Sequence, residues 1–192
     1  KTGNIKPFMH EECQFGYRES VFKRLLKDQY IILSVSFKLT KNHKINSSYG
    51  AIDTELATKG ITNPTIKDVS NAVIAIRSSK LPNPKEIGNA GSFFKNPVVS
   101  IEVLKAIQAN YENVPNYPAG EGEVKLAAGW LIEQAGWKGK TISTYGVHKN
   151  QALVLVNYSD SFGSDIFDLS TAIIDDIKAK FGVELEREVN IL

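Results

Sequence analysis

A chain of 192 residues, 42% hydrophobic and 23% charged, has room for one large domain or two small ones. A chain this long buries well over half of its unfolded surface without help from a metal or disulfides, and its single cysteine, Cys13, excludes an internal disulfide and fits a reducing cytosol. The net charge of +2 is too balanced to imply a nucleic-acid or membrane partner, and no apolar run approaches the ~18 residues of a membrane span.

The chain opens on Lys1 and reads as mid-chain sequence, with no signal-peptide pattern, so a truncated form or fragment is expected. Glu19 to Asp28 suits one or two helical turns or an irregular link. Tyr30 to Leu39, YIILSVSFKL, alternates and is rich in β-branched and aromatic residues, which predicts a strand with a buried face. Residues 41–64 show no strong period and read as loop. Thr65 followed by Asp68 has the form of a capping box, and Ile66, Val69, Val73 and Ile76 then mark one helical face ending near Ser78.

Ser79 to Pro97 carries three prolines and two glycines, which forbids a continuous helix and disfavours a central strand. Structureless loops of that length are uncommon in compact domains, and those that occur are often functional. A helix is predicted from about Ser100 to Asn110, a loop over Asn113 to Glu123, and a further helix over Val124 to Ala135 with Gly136 as its C-cap. Ala152 to Asn157 reads as a short buried strand. The last long helix runs from about Ser164 to Phe181, with Gly182 ending it, and VELEREVNI closes the chain as an alternating strand. Helices and short strands mix without strict βαβ order, so the expected class is α+β.

The chemistry readable from residue types alone is sparse. His10, His43 and His148 are far apart and no CxxC or HExxH spacing occurs, so no metal site is expected. Gly88-Asn89-Ala90-Gly91-Ser92 has the wrong spacing for a P-loop or a dinucleotide fingerprint, and its glycines by themselves read as turn residues. Ser92 lacks the context of a hydrolytic nucleophile. Glu184, Glu186 and Glu188 would share one face of a strand, which alone reads as a solvated face. Arg18 could pair with Glu19 or another surface acid, and one FFK beside a net charge of +2 is weak support for a nucleic-acid surface.

Several separate motifs change that reading. FGYRES, GNAGSFFKNPVVS, NYP, VKLAAGWLIEQAGWKG and VHKNQALVLVN occur in the order seen in bacterial UDP-N-acetylenolpyruvoylglucosamine reductase, and the chain resembles the C-terminal part of that family from about residue 11 onward. The resemblance implies an NADPH-dependent FAD flavoenzyme of the cytoplasm. It reduces UDP-N-acetylglucosamine enolpyruvate to UDP-N-acetylmuramate for peptidoglycan, as a monomer with a small-molecule substrate and no nucleic-acid or membrane partner. It also implies that the portion carrying most of the FAD-binding fold is absent here.

In the family, hydride passes from NADPH to FAD and then to C3 of the enolpyruvyl group, after which C2 is protonated. Residue by residue, the resemblance makes Arg18 the arginine that steadies the enolate, Ser92 the general acid, and Glu188 the glutamate that helps polarise or protonate the intermediate. It places Lys80, Asn96, Tyr117, Lys125 and Gln151 around the UDP-sugar, and Tyr49 on a loop folding over bound substrate. The long segment after residue 79 would then deliver Lys80, Ser92 and Asn96 to one site. Asn190 stands where the family often has a basic residue. The implied organisation is residues 1–80 as the tail of an FAD-binding domain, 81–187 as a substrate-binding domain, and 188–192 as a segment returning to the active site. The competing reading is a UDP-sugar-binding module without catalytic activity.

Overall fold

The computed structural model describes residues 3–48 and 50–191, which divide into two compact units, residues 1–44 and 45–192. Among the described residues no helix is long and apolar enough to cross a membrane. The class is α+β, with helices and two antiparallel sheets.

The first unit is held by a few local devices. A one-turn helix α1, His10–Cys13, buries Cys13, and its Met9 amide donates to Glu12 Oε2 at 2.7 Å. A 3-10 turn, Val21–Lys23, buries Val21. Phe8 packs edge-on against Phe22 and Tyr30, each with ring centroids 5.0 Å away. The strand expected over residues 30–39 does not form: the segment is irregular, unladdered and exposed, with Ile31, Phe37 and Leu39 each more than three-quarters accessible. Alternation specifies which face a strand would bury. The ladder itself needs a neighbouring backbone, and among the described residues none pairs with this segment.

The second unit begins with a helical hairpin. Helix α2, Ile52–Thr58, occupies part of the span expected to be loop, because Ile52 and Leu56, one turn apart, bury against Ala72 of α3, Ile66–Lys80. The capping box forms as its sequence spacing predicts, with Thr65 Oγ1 accepting from the Asp68 amide and Asp68 Oδ2 accepting from the Thr65 amide at 2.8 Å.

Seven short strands follow: β1 Gly88–Ser92, β2 Val98–Ser100, β3 Asn116–Gly120, β4 Glu123–Leu126, β5 Thr141–Ile142, β6 Tyr145–Val147 and β7 Val154–Asn157. They form a four-stranded sheet of order β1-β7-β6-β5 and a three-stranded sheet of order β2-β4-β3. The Pro/Gly-rich segment thus contains a strand, but an edge one, and its register shifts between Asn89 and Ser92 where Gly91 adopts φ +73°. Pro118 likewise sits on an edge strand, β3. The helix expected over 124–135 is corrected to β4 followed by α5, Ala128–Gln134, and the loop expected before it is largely the β3–β4 hairpin. Here pairing of β4 on both edges outweighs the helical propensity of its residues.

Helix α4, Ile101–Gln108, is capped by Ser100, and the 19-residue α6, Gly163–Phe181, ends on Gly182 at φ +66°. Leu131, Ile132, Val147, Ile173 and Ile177 are fully buried in one core between these helices and the sheets. Each such side chain contributes roughly 1.5–3 kcal/mol relative to exposure. The terminal residues 183–186 keep their alternation, with Val183 and Leu185 buried and Glu184 and Glu186 exposed, while residues 187–189 are all half-buried. They form only the isolated bridge Phe94↔Arg187, not the full strand their pattern predicts.

Candidate active site

Sheet register sets the first part of the site. Tyr117 of β3 lies opposite Lys125 of β4, and Lys125 lies opposite Val98 of β2 on its other side. Directly opposed residues of antiparallel strands share a face, so the phenol, the ammonium stem and the valine form one row. Lys125 is half-buried and Tyr117 exposed, an arrangement that covers an apolar stem and presents a polar head.

Three residues past Lys125, α5 begins, and two further sequence-predicted residues gather there. Asn96 Oδ1 accepts a hydrogen bond from the Ala128 amide at 2.9 Å. It therefore satisfies one of the orphan donors of a helix whose own preceding residue, Ala127, has no side chain able to cap. Gln151 reaches the same turn from the β6–β7 connection. A Cβ built on Gly129 would lie 3.4 Å from Gln151 Oε1 and 3.5 Å from Leu153 Cγ, ordinary contact distances that place the Gln151 side chain against the first turn of α5. Gln151 Oε1 also accepts from the Leu153 amide at 3.4 Å.

Lys80 ends α3 and is exposed. Its neighbour Ser79 accepts through its carbonyl from Asn150 Nδ2 at 3.3 Å, which ties this helix end to the turn that carries Gln151. Beside Asn150 is His148, buried, its imidazole held below its usual pKa first by burial and then by the charge of Lys149. Its Nδ1 accepts from the Asn150 amide at 3.4 Å.

Ser92 and Glu188 meet through backbone. Ser92 ends β1 opposite Val154, and the next residue, Phe93, donates from its amide to the Leu153 carbonyl at 2.7 Å. The Glu188 amide donates to the Phe93 carbonyl at 2.8 Å, and the Lys95 amide donates to Glu186 at 2.9 Å. Serine and glutamate thus lie on adjoining segments, Ser92 exposed and Glu188 half-buried. Lys95 and Glu186 form an ion pair alongside. Tyr117, Lys125, Asn96 and Gln151 thus border the start of α5, while Ser92 and Glu188 flank the Phe93 backbone contact.

Two predicted residues remain. Arg18 belongs to the first unit, where Gly16 and Glu19 exchange backbone hydrogen bonds of 3.0 and 3.2 Å around a two-residue turn. It occupies the second turn position at φ +54°, an uncommon conformation for a side-chain-bearing residue. The Lys23 ammonium donates to its carbonyl at 3.0 Å. Tyr49 lies outside the described residues.

Sequence reading missed Arg187. Its Nε donates to Ser170 Oγ at 2.7 Å and its Nη2 to Thr171 Oγ1 at 2.6 Å, with the guanidinium carbon 4.3 Å from the centroid of the Phe167 ring. A signal was present: in VELEREV, Arg187 shares parity with Val183, Leu185 and Val189 rather than with the glutamates.

The model for the family described as UDP-N-acetylenolpyruvoylglucosamine reductase, C-terminal domain, matches residues 83–192. The chain belongs to this family. A UDP-N-acetylenolpyruvoylglucosamine reductase of Flavobacterium johnsoniae is 55% identical over 193 residues, covering 100% of this chain and 57% of its own length. Proteins of the same name from Pseudomonas syringae pv. syringae and Chromobacterium violaceum are 49% and 46% identical, again over 100% of this chain and 56% of their lengths. The chain therefore spans just over half the length of the curated relatives it matches.

Members of a reductase family raise the question of a redox cofactor, and one cavity of the second unit lacks the cationic lining that a flavin dinucleotide's diphosphate calls for. A cavity of about 720 Å³ between β1, β7 and the start of α6 is lined by groups such as Asn89, Phe93, Leu155, Asn157 and Phe167, and none of its lining residues is a lysine or arginine. The α6 N-terminus beside it already carries an anion, since Asp165 accepts from the Phe162 amide at 2.7 Å. No group of three or more metal-ligating side chains occurs among the described residues.

Proposed function

We propose that this chain works as part of a UDP-N-acetylenolpyruvoylglucosamine reductase, binding UDP-N-acetylglucosamine enolpyruvate and helping convert it to UDP-N-acetylmuramate for peptidoglycan synthesis in the cytoplasm. What supports this reading most is the gathering of Tyr117, Lys125, Asn96 and Gln151 about the start of α5 in a family member. An ammonium and a phenol suit a diphosphate, and amide side chains suit the hydroxyls and carbonyls of a sugar and a uracil. On this reading residues 81–187 are the substrate-binding domain, 188–192 return to its active site, and Tyr49 belongs to a loop that closes over substrate.

Reduction of an enolpyruvyl double bond adds a hydride at C3 and a proton at C2. FAD and NADPH are the proposed source of the hydride in the complete reductase. The chain's own residues serve the proton and the charge. Arg18 steadies the substrate carboxylate as negative charge spreads into it, a task for a guanidinium fork in a dry site. Ser92 gives its hydroxyl proton to C2, which it can do only because the developing carbanion is a strong base. Glu188, on the adjoining segment, assists polarisation or protonation of the same centre.

Titration calorimetry of this chain with UDP-N-acetylglucosamine enolpyruvate tests the substrate reading. Saturable binding is expected, weakened about tenfold or more by Lys125→Ala through loss of a charge-assisted hydrogen bond. A folded chain that does not bind would overturn a substrate site carried by these residues. In the complete reductase, Ser92→Ala is expected to slow the reductive step at substrate by orders of magnitude while leaving binding intact. Binding with full retention of turnover in Ser92→Ala would remove the general-acid role.

A further inference from the structure

We infer that Arg187 is the positioning residue that holds Glu188 against the Ser92–Phe93 segment, an inference that rests on the function proposed for Glu188. The backbone contacts of the terminal segment are few. They amount to one isolated bridge, Phe94↔Arg187, and amide bonds on either side of it, Glu188 to Phe93 and Lys95 to Glu186. A segment laddered so briefly is prone to local opening, so its placement depends on what its side chains grip.

Arg187 supplies that grip. It continues the parity of the buried Val183 and Leu185 and is itself half-buried, where its N–H donors need partners. They are met by three residues on one face of α6, at i, i+3 and i+4: the Phe167 ring, Ser170 and Thr171. Ser170 is fully buried, and its hydroxyl proton is committed to the Phe167 carbonyl at 2.6 Å, which leaves the oxygen as an acceptor for Arg187 Nε. The planar fork thus finds two acceptors and an aromatic face already in place, a combination that a lysine could not reproduce. Its neighbour in the chain is Glu188. Fixing Arg187 to α6 therefore fixes the backbone of Glu188, whose amide meets the Phe93 carbonyl one residue past Ser92.

Two measurements test this. The first is steady-state kinetics of the complete reductase with Arg187→Met, Thr171→Val and, as reference, Glu188→Gln. Arg187→Met is expected to lower kcat about tenfold or more with KM changed less than about threefold, because a misplaced group near the reacting atoms affects the chemical step more than substrate capture. Thr171→Val, which removes one acceptor without changing volume, is expected to do the same to a smaller degree and carries the test if Arg187→Met fails to fold. The second is amide hydrogen exchange of this chain. The Glu188 and Lys95 amides should exchange faster in either variant while those of β7 keep their protection. Wild-type kcat in both variants, or unchanged exchange at Glu188, would overturn the inference. An unaffected kcat in Glu188→Gln would instead overturn the role proposed for Glu188, and the exchange experiment would still decide whether Arg187 anchors the segment.

Discussion

Asn96 shows how one side chain can carry two duties that a single alanine substitution would confuse. Its carbonyl oxygen caps α5 from 32 positions earlier in the chain, and the proposed function also has it beside the sugar. Replacing it with alanine removes the cap and costs about 1 kcal/mol in stability, whatever happens to ligand. Asn96→Asp keeps an acceptor in the same place, and a carboxylate there also suits the positive end of the helix. Chemical denaturation of Asn96→Asp should therefore match wild type within about 0.5 kcal/mol, while its affinity for the anionic UDP-sugar falls about tenfold or more. A loss of stability without a loss of affinity would leave Asn96 as a cap alone.

At the scale of elements, the decisive fact is that β4 and α5 adjoin with only Ala127 between them, so that Lys125 faces Tyr117 on a sheet while Ala128 begins a helix. The apolar residues of VKLAAGWLIEQA satisfy a helical period well enough to predict one continuous helix. The break comes from partners distant in sequence: β2 and β3 pair with both edges of β4, and Asn96 fixes where α5 starts. The β5–β6 hairpin is as tightly determined. A Cβ at Gly146 would overlap the Lys140 carbonyl oxygen and approach Thr141 Cα to 2.8 Å, both of them backbone atoms that cannot swing aside. Gly146→Ala is expected to destabilise the chain by about 1–3 kcal/mol through this overpacking. Urea unfolding measures it, and a midpoint equal to that of wild type would contradict the close approach.

For the molecule as a whole, the contrast lies between a well-buried core in the second unit and the apolar exposure of the first. Ile31, Leu33, Val35, Phe37 and Leu39 all stand open to solvent on a backbone outside any sheet. An exposed run of this kind is a template for intermolecular strand pairing. Made by itself, the chain is expected to self-associate as its concentration rises, and lysine substitutions at Val35 and Phe37 are expected to suppress this without shifting the melting of the second unit. Light scattering across a concentration series checks it. A monomer at high concentration with residues 30–39 unaltered would count against the prediction.

What could be read directly from the residues were the local features, each set by neighbours within a turn or two. The Thr65–Asp68 box, the Leu169–Ile173–Ile177 stripe of α6, its Gly182 cap and the burial parity of residues 183–186 all formed as their patterns predict. Family motifs added the candidate site residues, which no periodicity could have supplied. Tertiary structure alone decided the pairing of Tyr117 with Lys125, the capping of α5 by Asn96, the seating of Arg187 on α6 and the unpaired state of residues 30–39. The reason is common to all four. A hydrogen-bond ladder, a long-range cap and a half-buried guanidinium each need a partner from elsewhere in the chain, and amphipathic patterning records which face wants burial without recording what will cover it.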